Sequence, residues 1–132
     1  MERLFQKECD PDLLSPLTLA FVGDCVFELF VRERLVCEAN RPVQQLHRNS
    51  VAQVRCDAQA RSIDLLMEHL TEKELSIYKR GRNAKATPPK NATAADYHKA
   101  TGLEALFGYL YLKGDIPRLR MLYGKICEQE EL

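Results

Sequence analysis

The stretch from Pro16 to Val36, PLTLAFVGDCVFELFVRERLV, decides the fold. Ser15 ahead of Pro16 reads as an N-cap and a first helical residue. A serine oxygen can accept an orphan N–H of the first turn, and proline lacks an N–H that this position leaves unused. Phe21, Asp24, Phe27 and Val31 follow along the helix, and nowhere in the chain does period-2 alternation beat the helical period over a useful length. The run is more apolar than one buried stripe requires, which predicts a central helix.

Outward from this helix the same signals recur. Pro42 opens a short helix carrying Val43 and Leu46, and Ser50-Val51-Ala52-Gln53 reads as a capping box launching a longer one toward Leu70. Thr71-Glu72-Lys73-Glu74 repeats the device for a short helix ending near Arg80. Gly81 to Asn91, with its Gly, Asn and tandem Pro residues, is the one obvious long loop, and its length suggests a functional role. Thr93-Ala94-Ala95-Asp96 starts another helix, with Asp96 in its first turn, that runs to Lys113 before Gly114 stops it. A final amphipathic helix sets Leu119, Leu122 and Ile126 on one side. The fold class is all-α, and without a repeat or a boundary residues 1–132 read as a single domain.

A chain of 132 residues can bury a real core but leaves no room for an appended binding module. With 45% hydrophobic and 29% charged residues it is neither disordered nor low-complexity. The start, Met1 to Glu8, mixes charges without an apolar signal core, and no uncharged apolar run approaches transmembrane length, so a cytoplasmic protein without a membrane partner is expected. Cysteines at 9, 25, 37, 56 and 127 are odd in number and form no CxxC pair, which argues against structural zinc and a disulfide scaffold. Cys25, Cys37 and Cys56 are expected as small buried hydrophobes rather than nucleophiles.

Net charge is zero, yet charge is segregated. From Leu75 through Ala95 there is no Asp or Glu, while Lys79, Arg80, Arg82, Lys85 and Lys90 are basic; Glu128, Glu130 and Glu131 restore the balance. Cations in a Gly- and Pro-containing loop suit contacts to a phosphate backbone, which position a nucleic acid without reading it; the blander reading is a solvated loop. Only Tyr78 and Tyr97 stand nearby as aromatics, so a duplex backbone fits better than stacked single-stranded bases.

Two carboxylates, Asp24 and Glu104, sit among apolar neighbours, and burying a charged carboxylate is expensive without a cation or donors. Gly23 and Gly102 beside them would let two helices approach and bring the carboxylates together around Mg2+, which takes such oxygen ligands along with waters and substrate phosphate. Equally open is a structural reading, in which each carboxylate pairs with a buried Arg or caps a helix. Glu28, one turn beyond Asp24, has two readings, a further group at the metal or, the favoured one, an i,i+4 salt bridge to Arg32. The chain has neither an HExxH pattern nor a GxSxG elbow, so zinc-protease and serine-hydrolase classes have no support. His47, His69 and His98 read as structural or surface residues, although His47 beside Arg48 could meet RNA.

Phe21-Val22-Gly23-Asp24-Cys25-Val26-Phe27-Glu28 resembles the ribonuclease III signature helix, and Leu103-Glu104-Ala105-Leu106-Phe107-Gly108-Tyr109-Leu110-Tyr111-Leu112 is similar to that family's second metal-binding helix. Arg80-Gly81-Arg82-Asn83-Ala84-Lys85, Pro89-Lys90-Asn91 and Tyr97 resemble the Mini-ribonuclease III branch, which lacks a separate double-stranded RNA-binding domain. The match runs from about Ser15 to Tyr123. The resemblance implies an α-helical homodimer with a catalytic valley across its interface. It also implies Mg2+ dependence, cleavage of double-stranded RNA to 5′-phosphate and 3′-hydroxyl ends, and maturation of large-subunit (23S) precursor ribosomal RNA, with a ribosomal protein as a further candidate partner.

Carried over by position, Asp24 and Glu104 are the catalytic, metal-holding pair, and Arg80, Arg82, Asn83, Lys85 and Lys90 are the RNA-binding set. Two positions depart from the pattern: longer family members have a glutamate four residues before the signature aspartate and an aspartate three residues before the second-helix glutamate, where this chain has Ala20 and Thr101. RNA phosphates and waters are expected to complete the thinner shell. A second reading, favoured by that depletion, is a non-catalytic helical RNA-binding ribosome assembly factor. The two part on whether divalent metal is needed for turnover.

Overall fold

Ser15 caps the first long helix as its sequence predicts. Its Oγ accepts from the Thr18 N–H at 3.3 Å, and α1 runs Pro16–Glu38. The computed structural model describes residues 3–130; Met1, Glu2 and Glu131 of the charge pattern lie outside the described residues, as does the side chain of Glu130. A 3₁₀ turn, Pro11–Leu13, precedes α1, and α2 (Val43–Val54), α3 (Cys56–Leu66), a 3₁₀ turn (Met67–His69), α4 (Glu72–Arg82), α5 (Ala94–Leu112) and α6 (Ile116–Glu130) follow. No strand occurs among the described residues, so the all-α expectation holds.

Where helix ends depend on local hydrogen bonds, they fall where the residues predict. Thr71 and Glu74 form the reciprocal capping box, with the Glu74 N–H on Thr71 Oγ1 at 3.1 Å and the Thr71 N–H on Glu74 Oε1 at 3.0 Å. Thr93 Oγ1 accepts from the Asp96 N–H at 3.1 Å to start α5, and Gly114, with φ 82°, turns the chain beyond its end.

Ser50 is different. It lies inside α2, with its hydroxyl donating to the His47 carbonyl at 2.9 Å, so it starts nothing. The break comes at Arg55, whose extended backbone (φ −60°, ψ 153°) separates α2 from α3. Tertiary packing supplies the reason, because α2 lies along α1 while α3 packs on α5 and α6, and a straight helix from 43 to 66 would not reach both.

The core is built around α5 rather than α1. From Ala100 to Leu110 every residue except Glu104 is buried, because α1, α3, α4 and α6 all pack against this helix. A helix apolar on every side is the sequence signature of that position. Phe107 meets Phe27 edge-on with ring centroids 5.3 Å apart, and Phe30 of α1 stacks on Tyr123 of α6 at 4.9 Å. Each such side chain contributes roughly 1.5–3 kcal/mol of burial.

The helix α1 keeps a second apolar face outside: Phe21 is 79% and Leu29 57% exposed. Cys25 and Cys37 are exposed and Cys56 half-buried, against the expectation of buried thiols, because Cys25 and Cys37 lie on the outer side of α1 and Cys56 is the first residue of α3; no cysteine forms a disulfide. No helix among the described residues is long and apolar enough to cross a membrane.

Candidate active site

Glycine brings the two carboxylates together. Asp24 projects from the middle of α1 and Glu104 from the middle of α5, and beside Asp24 the backbone of Gly23 touches α5. A Cβ at Gly23 would overlap the Glu104 carbonyl and come within 2.8 Å of the Gly108 nitrogen. A Cβ at Gly108 would likewise overlap the Leu19 carbonyl, so the two backbones cross in contact only because both positions are glycine.

Gly102, expected at this crossing, belongs to another. It faces α4, where a Cβ would lie 2.6 Å from the Tyr78 ring, and opposite it a Cβ at Gly81 would lie 2.9 Å from the Gly102 Cα. The reason is helical phase: Glu104 and Gly108, four apart, share a face, whereas Gly102 points about 200° away from Glu104. Gly81, read in the sequence as the start of the loop, is therefore a packing glycine that carries α4 on to Arg82.

The Asp24 and Glu104 carboxyls are hydrogen-bonded neighbours, and the side chain of Gln59, on α3, bonds to Glu104 as well. Burial first, then the charge of Asp24 and the hydrogen bond to it, push the Glu104 carboxyl from 4.5 up to about 8, against the opposing pull of Gln59. Asp24 itself is exposed, contrary to the burial its apolar neighbours suggest, because its face of α1 turns toward solvent. Neither carboxylate has a Lys or Arg ion-pair partner among the described residues, so the buried-arginine reading is not realised.

Two acids in contact without a cation do not both ionise readily near neutrality; a shared proton or a hard cation relieves them. Their oxygens fit Mg2+. No cluster of three or more His, Cys, Asp or Glu residues exists among the described residues, so water and phosphate would supply the other ligands. Ala20 is packed in the core at 7% exposed, and Thr101, 5% exposed, donates its hydroxyl to the Tyr97 carbonyl at 2.9 Å. These two positions add no ligand. Glu28 is committed to Arg32 at 2.6 Å, as its spacing predicts.

Of the five RNA-binding candidates, the fold brings three together. Arg82, Asn83 and Lys85 line one open cleft of ≈ 570 Å³ with His98 and the intervening loop. Arg82 Nε donates to Asn83 Oδ1 at 3.2 Å and its guanidinium lies 5.6 Å from the Tyr78 ring centroid. Arg80 faces a neighbouring groove with Lys79, Leu75 and Pro16, which shares Asn83 with the first, and Lys90 is exposed in a turn closed by the Ala92 N–H on the Pro89 carbonyl at 3.3 Å. His47 and Arg48 are exposed on α2.

Two residues of this region escape a sequence reading. Gln59 is 2% exposed, and its only sequence signal is a polar residue between Ala58 and Ala60 in an amphipathic helix. His98 precedes Thr101, Gly102 and Ala105 at helical spacing, on the side of α5 that faces α4, which no local motif marks.

The helical fold is that of a ribonuclease III domain, and the Ribonuclease III domain family matches residues 17–115. A crystal structure of a Fusobacterium nucleatum protein is similar to this chain with a TM-score of 0.83 and 28% identity, covering 94% of this chain and 99% of that one. Within that class the chain belongs to the Mini-ribonuclease 3 family. It is 49% identical to the Mini-ribonuclease 3 of Symbiobacterium thermophilum over 83% of this chain and 85% of the relative. To that of Streptococcus pneumoniae it is 40% identical over 92% and 98%.

Proposed function

We propose that this ribonuclease is a Mg2+-dependent endonuclease acting on double-stranded RNA, with 23S precursor ribosomal RNA as its substrate and 5′-phosphate and 3′-hydroxyl product ends. The observation that carries this reading is the Asp24–Glu104 pair: two touching acids, one exposed and one half-buried, with no cation of the protein's own to compensate them. Asp24 and Glu104 would hold the ion, and when bound it would supply the Lewis acidity that phosphodiester hydrolysis needs. Gln59 orients Glu104 through its hydrogen bond, and the Gly23–Gly108 crossing holds the two acids at a fixed separation. Arg82, Asn83 and Lys85 in the cleft, with Arg80 and Lys90 flanking, contact backbone phosphates and so position a duplex without reading its sequence.

The working unit in this reading is a homodimer. The outer face of α1 sets Leu17, Phe21, Cys25 and Leu29 at i,i+4 spacing, all exposed, beside an apolar hollow of ≈ 440 Å³ lined by Val22, Val26 and Phe30. A contiguous apolar patch of this kind marks an association surface. A second copy placed there would supply one carboxylate pair for each strand of a duplex.

Cleavage of a long, end-labelled RNA duplex tests the assignment, with Mg2+, with EDTA, and with Asp24→Asn. Cutting is expected with Mg2+ and the wild-type chain only. Intact duplex in all three, with binding retained, would replace the nuclease by the RNA-binding assembly factor.

A further inference from the structure

The imidazole of His98 takes no part in the reading above, yet it lines the same cleft as Arg82 and Lys85. Its Nδ1 is buried and has no hydrogen-bond partner. Native proteins rarely leave such an atom unpaired without a cause. The Tyr97 ring meets the imidazole edge-on at 5.8 Å, and the adjacent Lys99 is tied to Asp64 at 3.0 Å. No carboxylate lines the cleft, and neither Arg82 nor Lys85 has an ion-pair partner among the described residues. Two cations without an ion-pair partner and the imidazole thus share one concavity, Nδ1 on the buried edge of the ring and the rest of the ring on the cleft wall, and what that concavity lacks is an anion.

We propose that this cleft is a built pocket for one backbone phosphate of the RNA, and that His98 donates to that phosphate beside Arg82 and Lys85. The inference rests on the ribonuclease reading and deepens it, replacing diffuse contact along a basic loop by a defined seat. The chemistry matches group by group. A phosphodiester offers two non-bridging oxygens; the arginine fork can bind both, the lysine adds a point charge, and the imidazole adds one N–H when neutral and two when protonated. The pocket also spans two elements, since Arg82 ends α4 and His98 belongs to α5. Glu104 lies six residues farther along that same helix, about 9 Å of axial rise. A phosphate seated at His98 is therefore held at a fixed offset from Glu104 by one rigid helix, which makes His98 a positioning residue rather than a catalytic one.

The test uses the full chain. In EDTA, where the duplex is bound without being cut, His98→Ala is expected to raise Kd for a long RNA duplex about tenfold, and His98→Arg to restore it. In Mg2+ the His98→Ala loss should fall on KM, with kcat within about twofold of wild type. To separate binding from folding of the substituted helix, the wild-type chain provides a second readout: nitrogen-15 resonances of the His98 ring should shift when duplex is added in EDTA, and less when inorganic phosphate is added alone. An active nuclease whose His98→Ala form binds duplex normally, or whose His98 resonances do not move, overturns this pocket and leaves the nuclease standing. A wild-type chain that neither binds nor cuts duplex removes both.

Discussion

At the scale of single residues, Glu104 is the most constrained group in the molecule. It is the one residue of α5 between Ala100 and Leu110 that is not buried, and its carboxyl is pushed up to about 8 by burial and by Asp24. The folded chain therefore keeps a proton between about pH 4.5 and 8 that the unfolded chain has released. Stability contributed by that proton is full below the lower value and is lost as pH rises through the upper one. Metal-free wild type is expected to lose about 2 kcal/mol between pH 5 and pH 8 relative to Glu104→Gln, read as a pH-dependent gap in melting temperature. Parallel melting curves for the two forms would refute the assignment. None of this is legible in Leu103-Glu104-Ala105: those neighbours announce an acid in apolar company, whereas the contacts with Asp24 and Gln59 come from α1 and α3.

At the scale of the element, helix ends and helix crossings obey different rules. Thr71 and Thr93 cap their helices where the sequence predicts because the hydrogen bonds involved lie within three residues. The break at Arg55 has no such marker, since it answers to α2 and α3 packing on different partners. Crossings depend on glycine phase. Gly23 and Gly108 join α1 to α5, and Gly81 and Gly102 join α4 to α5, a pairing that requires knowing which helix lies opposite. Gly108→Ala is expected to destabilise the fold by about 3 kcal/mol or more, because the new methyl meets the backbone carbonyl of Leu19, which cannot rotate away. Chemical denaturation measures it; a loss under about 1 kcal/mol would mean that α1 and α5 slide apart at little cost.

At the scale of the molecule, the surface divides by chemistry. The outer face of α1 is apolar around Phe21 and Leu29, while the end of α4 and the loop after it are basic around Arg82 and Lys85. Phe21→Lys, at a position 79% exposed in one copy, should leave the monomer fold intact and convert a dimer to monomers in sedimentation equilibrium, with duplex cleavage reduced more than about tenfold. A dimer that survives this change would move the association surface off α1.

The sequence by itself determined the helical class, the caps at Ser15, Thr71 and Thr93, and the two acids and the basic loop as the chemically unusual places, because each rests on composition, period or bonds within a few residues. It did not place Gly81 and Gly102 at one crossing, break the chain at Arg55, bring Gln59 to Glu104, or turn Arg80 away from Arg82. It also assigned no role to His98. Those were decided by the tertiary structure, because they depend on the rotation of each helix about its axis. That rotation is set by where backbones can touch, and residues distant in sequence settle it together.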